Sequence, residues 1–316
     1  MSLRPDARIL VLYPPGALGR ALVDRLTWAG HAQLTVARGL DLREKEAVLA
    51  LFEAELPDLV FLMPAKVCGP FDLQPAQWLH DNLTSAANVI HAAYLYDVEK
   101  LLCVDGGATF MDPVALPPAA GQWAAEFLGE VWRADAVTRG AVTELCDSYR
   151  LQYGCNFVSA VAGHVYGPGV NFDGPGHPLV PTLLREVRRA RDGGAPELRL
   201  LGHAGARADL LHLHDLTDAC LFLMEQVSES GPVAVGAGPG LPPTLAEVAD
   251  LVRADAGYGG AVTFGGVTSG GQTLPGAGRP PLGEGPLHRA GWRATVPLPD
   301  GLRETWRWYA GQTAAP

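Results

Sequence analysis

Two charged side chains, Asp135 and Arg139, stand four residues apart in a segment whose pattern predicts a helix, so they share one face of it. Asp105, His164 and His177 add further ionisable groups next to turn-forming sequences. Carboxylates and imidazoles of this kind suit proton abstraction next to a carbonyl, as in epimerisation, isomerisation, elimination or ring closure. The Asp135–Arg139 pair is equally consistent with an exposed salt bridge worth a few tenths of a kcal/mol.

The elements that must position these groups alternate between short apolar runs and longer amphipathic segments, which predicts βαβ units on a parallel sheet. The predicted strands are 7–13, 33–37, 59–63, 100–104 and 156–161, and the predicted helices are 17–29, 44–55, 78–96, 124–153, 183–190 and 302–309. The glycine-rich stretch 257–281 is predicted to be a loop or lid, and the H-L-H-D sequence at 212–215 to lie on a late strand.

This pattern predicts the α/β class, with a Rossmann-like, doubly wound parallel sheet and a smaller α/β C-terminal domain. Residues 1–165, with 205–232 returning to them, are expected to form the nucleotide-binding domain, and 166–204 with 233–316 the substrate-binding domain.

The turn after the first predicted strand reads Y-P-P-G-A-L-G and is a candidate phosphate loop. Gly16 and Gly19 would let the backbone approach a pyrophosphate, whose charge the amides at a helix N-terminus can meet. Tyr13 adds bulk there, and Pro14 and Pro15 have no N–H to donate. A dinucleotide site and a simple strand–helix turn therefore both remain open.

Further candidate ligand contacts follow the next two strands. Asp41 and Leu42 suit an adenine-binding loop, and Arg38 a 2′-phosphate, although a solvated turn explains these residues nearly as well. Lys66 follows the third strand, at the sheet edge where open α/β folds bind ligands. The guanidinium groups suited to a substrate diphosphate are those of Arg185, Arg207 and Arg279.

Composition limits the class of protein. The chain has 316 residues, 48% of them hydrophobic, and a net charge of −10, which argues against nucleic acid or an anionic membrane as a partner. Neither a spanning segment nor a secretion signal is visible, and the 5 cysteines are scattered, so we expect a soluble, cytoplasmic protein with reduced thiols. The histidines are widely spaced, so the sequence predicts no metal site.

Several motifs together resemble those of the GDP-L-fucose synthases, bifunctional epimerase/reductases of the extended short-chain dehydrogenase/reductase family. The motifs are A-K-V at 65–67, N-V-I-H-A-A at 88–93, D-V-E-K-L-L at 97–102, L-C-D-S-Y at 145–149, Q-Y-G at 152–154, V-Y-G-P at 165–168, N-F at 171–172, V-P at 180–181 and L-H-L-H-D at 211–215. The resemblance implies a nucleotide-sugar substrate contacted by Asn171, an NADP or NAD cofactor, and a homodimer formed by the two long helices.

The resemblance fails at the residues that carry the chemistry. Where the family has a catalytic Ser, an epimerising Cys, and a Tyr and Lys that serve the hydride step, this chain has Gly106 or Gly107, Ala108, Asp135 and Arg139. A carboxylate does not replace a phenol as proton donor near pH 7 unless its pKa is strongly raised.

These replacements predict a non-redox acid–base enzyme, and the altered phosphate loop argues against NADP or NAD binding. The alternatives are an inactive pseudoenzyme or scaffold subunit, and a conventional NADP-dependent epimerase/reductase.

Overall fold

The computed structural model describes residues 3–13, 16–63, 75–105, 121–170, 179–201, 203–238, 240–265, 268–269, 272–273 and 285–312. The strands are β1 (Ile9–Leu12), β2 (Leu34–Ala37), β3 (Leu59–Leu62), β4 (Lys100–Asp105), β5 (Phe157–Ala162), β6 (His164–Tyr166), β7 (Glu197–Leu201), β8 (Leu210–His212), β9 (Pro232–Val235), β10 (Ala261–Gly265), β11 (Thr268–Ser269) and β12 (Gln272–Thr273). The helices are α1 (Ala17–Trp28), α2 (Lys45–Glu55), α3 (Pro75–Leu95), α4 (Gly121–Tyr153), α5 (Leu179–Asp192), α6 (Leu213–Gln226), α7 (Leu245–Ala256), α8 (Pro286–Arg289) and α9 (Leu298–Gln312).

A six-stranded parallel sheet in the order β2-β1-β3-β4-β5-β9 forms the centre of the first half of the fold. Successive residues of β1 point to opposite faces. Ile9 and Val11 enter the core beneath α1 and α6, while Leu10 and Leu12 enter the core beneath α2 and α3. Both faces of the strand are therefore covered, which is why its sequence is continuously apolar instead of alternating. The predicted fold class, α/β with a Rossmann-like parallel sheet, is confirmed.

The second half has its own core. Helices α5, α7 and α9 pack with the parallel pair β7–β10, and the short parallel pair β6–β8 lies between this core and the large sheet. The prediction of a loop over 257–281 is wrong for β10, because Val262 and Phe264 pair with residues of β7. Most of the remaining stretch, 266–284, lies outside the described residues.

The L-H-L-H-D segment also differs from the prediction. Only its first two residues lie in β8, and α6 begins at Leu213, so His214 and Asp215 occupy the first turn of a helix. The cause is a change of hydrogen-bonding pattern at His212, whose ring nitrogen accepts from the backbone N–H of His214 and caps the helix.

Helix α6 is fixed at both ends. At its start, the buried carboxylate of Asp215 accepts hydrogen bonds from the backbone N–H and hydroxyl of Thr295 and from the N–H of Val296, at 2.8 to 3.2 Å. At its end, the ammonium of Lys100 donates to the carbonyls of Leu223, Met224 and Val227. Burial lowers the pKa of Lys100 to about 8.

The described cysteines, Cys103, Cys146, Cys155 and Cys220, are free thiols; Cys155 is half-buried and the other three are buried. The helices of the described residues include none that is both long and apolar enough to cross a membrane.

Candidate active site

The candidate site lies at the carboxyl edge of the large sheet, where α1 and α6 begin. The loop after β6 reaches this edge, because a Cβ added to Gly169 would lie 3.4 Å from the Cβ of Ala17 in the first turn of α1. Open α/β sheets bind their ligands at this edge.

The Tyr13 ring is buried against Gly19. A Cβ on Gly19 would overlap the ring, so this helix position requires glycine. The ring belongs to the core beneath α1, with 8% of the residue exposed, instead of standing out over the loop as the sequence led us to expect. Gly16 has an extended backbone and begins the helix without a side-chain cap.

An ion-pair network occupies the loop after β2. The guanidinium of Arg43 donates from Nε to Asp41 at 2.8 Å and from Nη1 to the buried carboxylate of Asp81 at 3.1 Å. Side-chain and backbone hydrogen bonds from Arg43 lower the pKa of Asp41 to about 2. Arg38 is exposed, and it has no partner among the residues that the structure describes.

Leu42 contributes to the hydrophobic core and not to a solvent-facing loop surface. Its side chain is buried beneath α2 and α3, and its carbonyl accepts a hydrogen bond of 3.0 Å from the side-chain amide of Asn88. Any contact of Leu42 with an adenine must therefore come from its backbone.

Asp135 and Arg139 lie one turn apart on α4, as predicted. The Nε and Nη1 atoms of Arg139 are buried. Its neighbour Thr138 is buried too, and a hydrogen bond of 2.9 Å between the Thr143 and Ser159 hydroxyls attaches the helix to β5. The side chain of Asp135 lies outside the described residues.

The other predicted acid–base residues are located in part. Asp105 ends β4 opposite Val161, which puts its backbone at the carboxyl edge. His164 begins β6 half-buried, and its N–H donates to the carbonyl of Asp209 at 2.7 Å. His177, Lys66, Asn171 and Arg279 lie outside the described residues, as do residues 106–108.

The two described candidates for binding a diphosphate differ in their surroundings. Arg185 is half-buried on α5, with Nε 3.4 Å from a carboxylate oxygen of Glu186. Arg207 is exposed, and its Nη1 donates to the carbonyl of Pro242.

One cluster escaped the sequence reasoning. His212, His214 and Glu304 come together where β8 meets α6 and α9, with one possible metal-ligand atom from each lying within 4.8 Å of the others. Burial lowers the pKa of His212. Glu304 reaches the two histidines because of the position of α9, and no local sequence pattern predicts this contact.

Comparison with known proteins decides the family. The sequence model of the NAD dependent epimerase/dehydratase family matches residues 9–236. The chain belongs to this family. It is 32% identical over 310 residues to GDP-L-fucose synthase 1 of Arabidopsis thaliana, covering 96% of this chain and 93% of the relative. It is 28% identical over 313 residues to GDP-L-fucose synthase of Escherichia coli (strain K12), covering 96% of both.

Solved structures of this epimerase/dehydratase type show the same fold. A GDP-L-fucose synthetase from Naegleria fowleri bound to NADP has a TM-score of 0.77 at 19% identity, covering 100% of this chain and 96% of that one. A GDP-mannoheptose C4 reductase from Campylobacter jejuni with NADP bound has a TM-score of 0.76 at 24% identity, covering 98% and 100%. The family is NAD(P)-dependent, and these two neighbours bind NADP.

Proposed function

We propose that this family member converts a nucleotide diphosphate sugar by proton transfer, without net reduction. The names of its relatives support a GDP-sugar as the nucleotide class. The observation that carries the proposal is the Asp135–Arg139 pair on α4, at the positions that the resemblance gives to a tyrosine and a lysine. No phenol stands there to donate a proton.

The positive charge of Arg139 indicates whether Asp135 is better suited to act as a general base or as a general acid. A guanidinium one helical turn away favours the ionised form of a carboxylate, because opposite charges attract. An ionised Asp135 accepts a proton and acts as a general base. Proton abstraction beside a sugar ketone, leading to epimerisation, isomerisation or elimination, is therefore favoured over protonation of a ketone during reduction.

The test is deuterium exchange into a GDP-4-keto sugar in D2O, followed by NMR. We expect exchange beside the ketone without oxidation of added NADPH, and at least a tenfold slower rate in Asp135→Asn, since general bases contribute about a hundredfold or more. Glu144→Gln is the matched control, because Glu144 is an exposed carboxylate on the opposite face of α4.

Two other results would contradict this proposal. Consumption of NADPH with formation of a reduced sugar would indicate a conventional reductase. Binding of the GDP-sugar with neither exchange nor reduction would indicate a pseudoenzyme.

We also propose that the adenosine end of NADP still binds. The described residues fit it, since Arg38 is exposed without a described partner at the end of β2, and the Tyr13 ring lies in the core instead of over the loop. Arg38 would pair with the 2′-phosphate, and Gly16 would border the pyrophosphate. When bound, such a cofactor supplies hydride transfer. The proposed reaction leaves the sugar with no net gain of hydride.

Calorimetric titration of Arg38→Gln tests the cofactor proposal. We expect about tenfold weaker NADPH binding and unchanged NADH binding, because only NADPH carries the phosphate that a charge-assisted hydrogen bond would hold. Arg4→Gln is the control, since Arg4 pairs with Glu99 before β1, at the opposite edge of the sheet. If the wild-type protein binds neither cofactor at millimolar concentration, this proposal is wrong.

The homodimer expected from the resemblance also remains a proposal. Its support is the apolar surface of α3 and α4, where Leu95 is 49%, Leu151 90% and Tyr153 47% exposed. Tyr153 stacks on Tyr94 with ring centroids 4.2 Å apart, which gives this surface a rigid aromatic centre. Apolar side chains of this size favour burial against a second copy of the same helices.

A further inference from the structure

We propose that His212, His214 and Glu304 bind a divalent transition-metal cation of the Zn²⁺ class. The three residues come from the end of β8, the first turn of α6 and the middle of α9. One ligand atom from each lies within 4.8 Å of the others. His214 and Glu304 are exposed, so a cation can reach them from solvent.

The imidazole of His212 gives the first argument. Its side chain is fully buried, and its Nε2 has no hydrogen-bond partner among the described residues. The nearest carboxylate oxygen, on Glu304, is 3.6 Å away, which is too far for a hydrogen bond. A buried polar atom without a hydrogen bond is unfavourable, so this nitrogen is expected to contact a ligand or a water.

Two glycines leave room beside this ring, which packs edge-on against Tyr166 with ring centroids 5.2 Å apart. A Cβ on Gly167 would lie 3.3 Å from Nε2 of His212, and a Cβ on Gly301 would lie 3.0 Å from its Cδ2. Larger residues at either position would crowd the ring. The Nε2 atom therefore faces a space shared with the side chains of His214 and Glu304.

The donor set is that of a three-ligand zinc site. Two imidazoles and a carboxylate bind zinc at about 2.0–2.2 Å and leave a fourth tetrahedral position for water. Ligand atoms in such a site are roughly 3.3 Å apart, given these bond lengths. The 3.6 Å between His212 Nε2 and Glu304 Oε2 is already close to this value. Rotation of the exposed His214 side chain can bring its ring nitrogen to the same spacing from the other two ligand atoms.

Binding also moves one proton within the His212 ring. Nδ1 accepts from the His214 N–H at 3.4 Å, so the neutral ring carries its proton on Nε2. When Nε2 coordinates the metal, that proton leaves and Nδ1 takes one up, so the ring releases no net proton and the contact with the amide breaks. Losing this long hydrogen bond, and holding a cation near the start of α6, both weaken binding. The Glu304 carboxylate offsets part of the added charge, and we expect micromolar affinity.

Calorimetric titration of the metal-free, full-length protein with Zn²⁺ tests the site. We expect one equivalent to bind with micromolar affinity, weakened at least tenfold in His214→Ala and in Glu304→Gln. Both side chains are exposed, so neither substitution removes core packing. His203→Ala is the matched control, because His203 is an exposed histidine outside the cluster, and its binding should equal that of the wild type.

A second measurement separates this site from scattered surface histidines. Nitrogen-15 NMR of the wild-type histidine rings should show the proton of His212 moving from Nε2 to Nδ1 on addition of Zn²⁺. The proposal is wrong if no zinc binds, if His214→Ala and Glu304→Gln bind zinc as the wild type does, or if the His212 ring nitrogens do not respond. The reaction proposed for Asp135 does not enter this test.

Discussion

Replacing Asp215 by asparagine is expected to lower the free energy of unfolding by about 3 kcal/mol. The buried carboxylate accepts three hydrogen bonds, from the N–H and hydroxyl of Thr295 and from the N–H of Val296. An asparagine keeps the shape but turns an NH2 group toward one of these donors. It also removes the negative charge that the first turn of α6 favours.

Chemical denaturation at constant pH measures this loss. Asp24→Asn is the control, because Asp24 is an exposed residue of α1, and its change should stay within about 0.5 kcal/mol. If the two variants unfold at the same denaturant concentration, the Asp215 hydrogen bonds do not hold the segment before α9 to α6.

Gly19→Ala is expected to destabilise the protein by about 3 kcal/mol, although alanine is the better helix former by about 1 kcal/mol. The added methyl group would overlap the Tyr13 ring, whose carbons lie against the Gly19 backbone. The ring is buried in the core beneath α1 and cannot turn toward solvent without leaving a cavity.

A double-mutant cycle with Tyr13→Ala identifies the cause. Once the ring is gone, Gly19→Ala should become neutral or stabilising, so the two effects should be strongly non-additive. Equal losses from Gly19→Ala with and without the Tyr13 ring would instead assign the glycine to another contact. Gly140→Ala, at an open position within α4, is the control for helix propensity.

The sequence predicts the sheet well because its strands are apolar on both faces. Each predicted strand from β1 to β5 overlaps the observed one, since a run such as that of 9–12 has no polar face to present to solvent. Residues 261–265 were mistaken for part of a loop because glycines surround them. Their pairing with β7 comes from residues far away in the chain, which no local pattern reports.

The candidate site was less predictable because most of its contacts also join residues that are far apart in the chain. The i, i+4 spacing of Asp135 and Arg139 follows from helix geometry alone and could be inferred. The pairing of Arg43 with both Asp41 and the buried Asp81 depends on how α3 packs against the loop after β2. Glu304 meets His212 only after the C-terminal helix has docked.

The order of strands in the large sheet has a consequence for synthesis on the ribosome. Strand β5 pairs with β4 on one side, and on the other side with β9, which follows only after the chain has passed from residue 162 to residue 232. A nascent chain that stops short of β9 carries an unpaired edge on a strand made almost wholly of buried residues. Such an edge can recruit another chain. Premature termination or proteolytic cleavage between residues 162 and 232 is therefore expected to yield an aggregation-prone fragment instead of an independently folded domain.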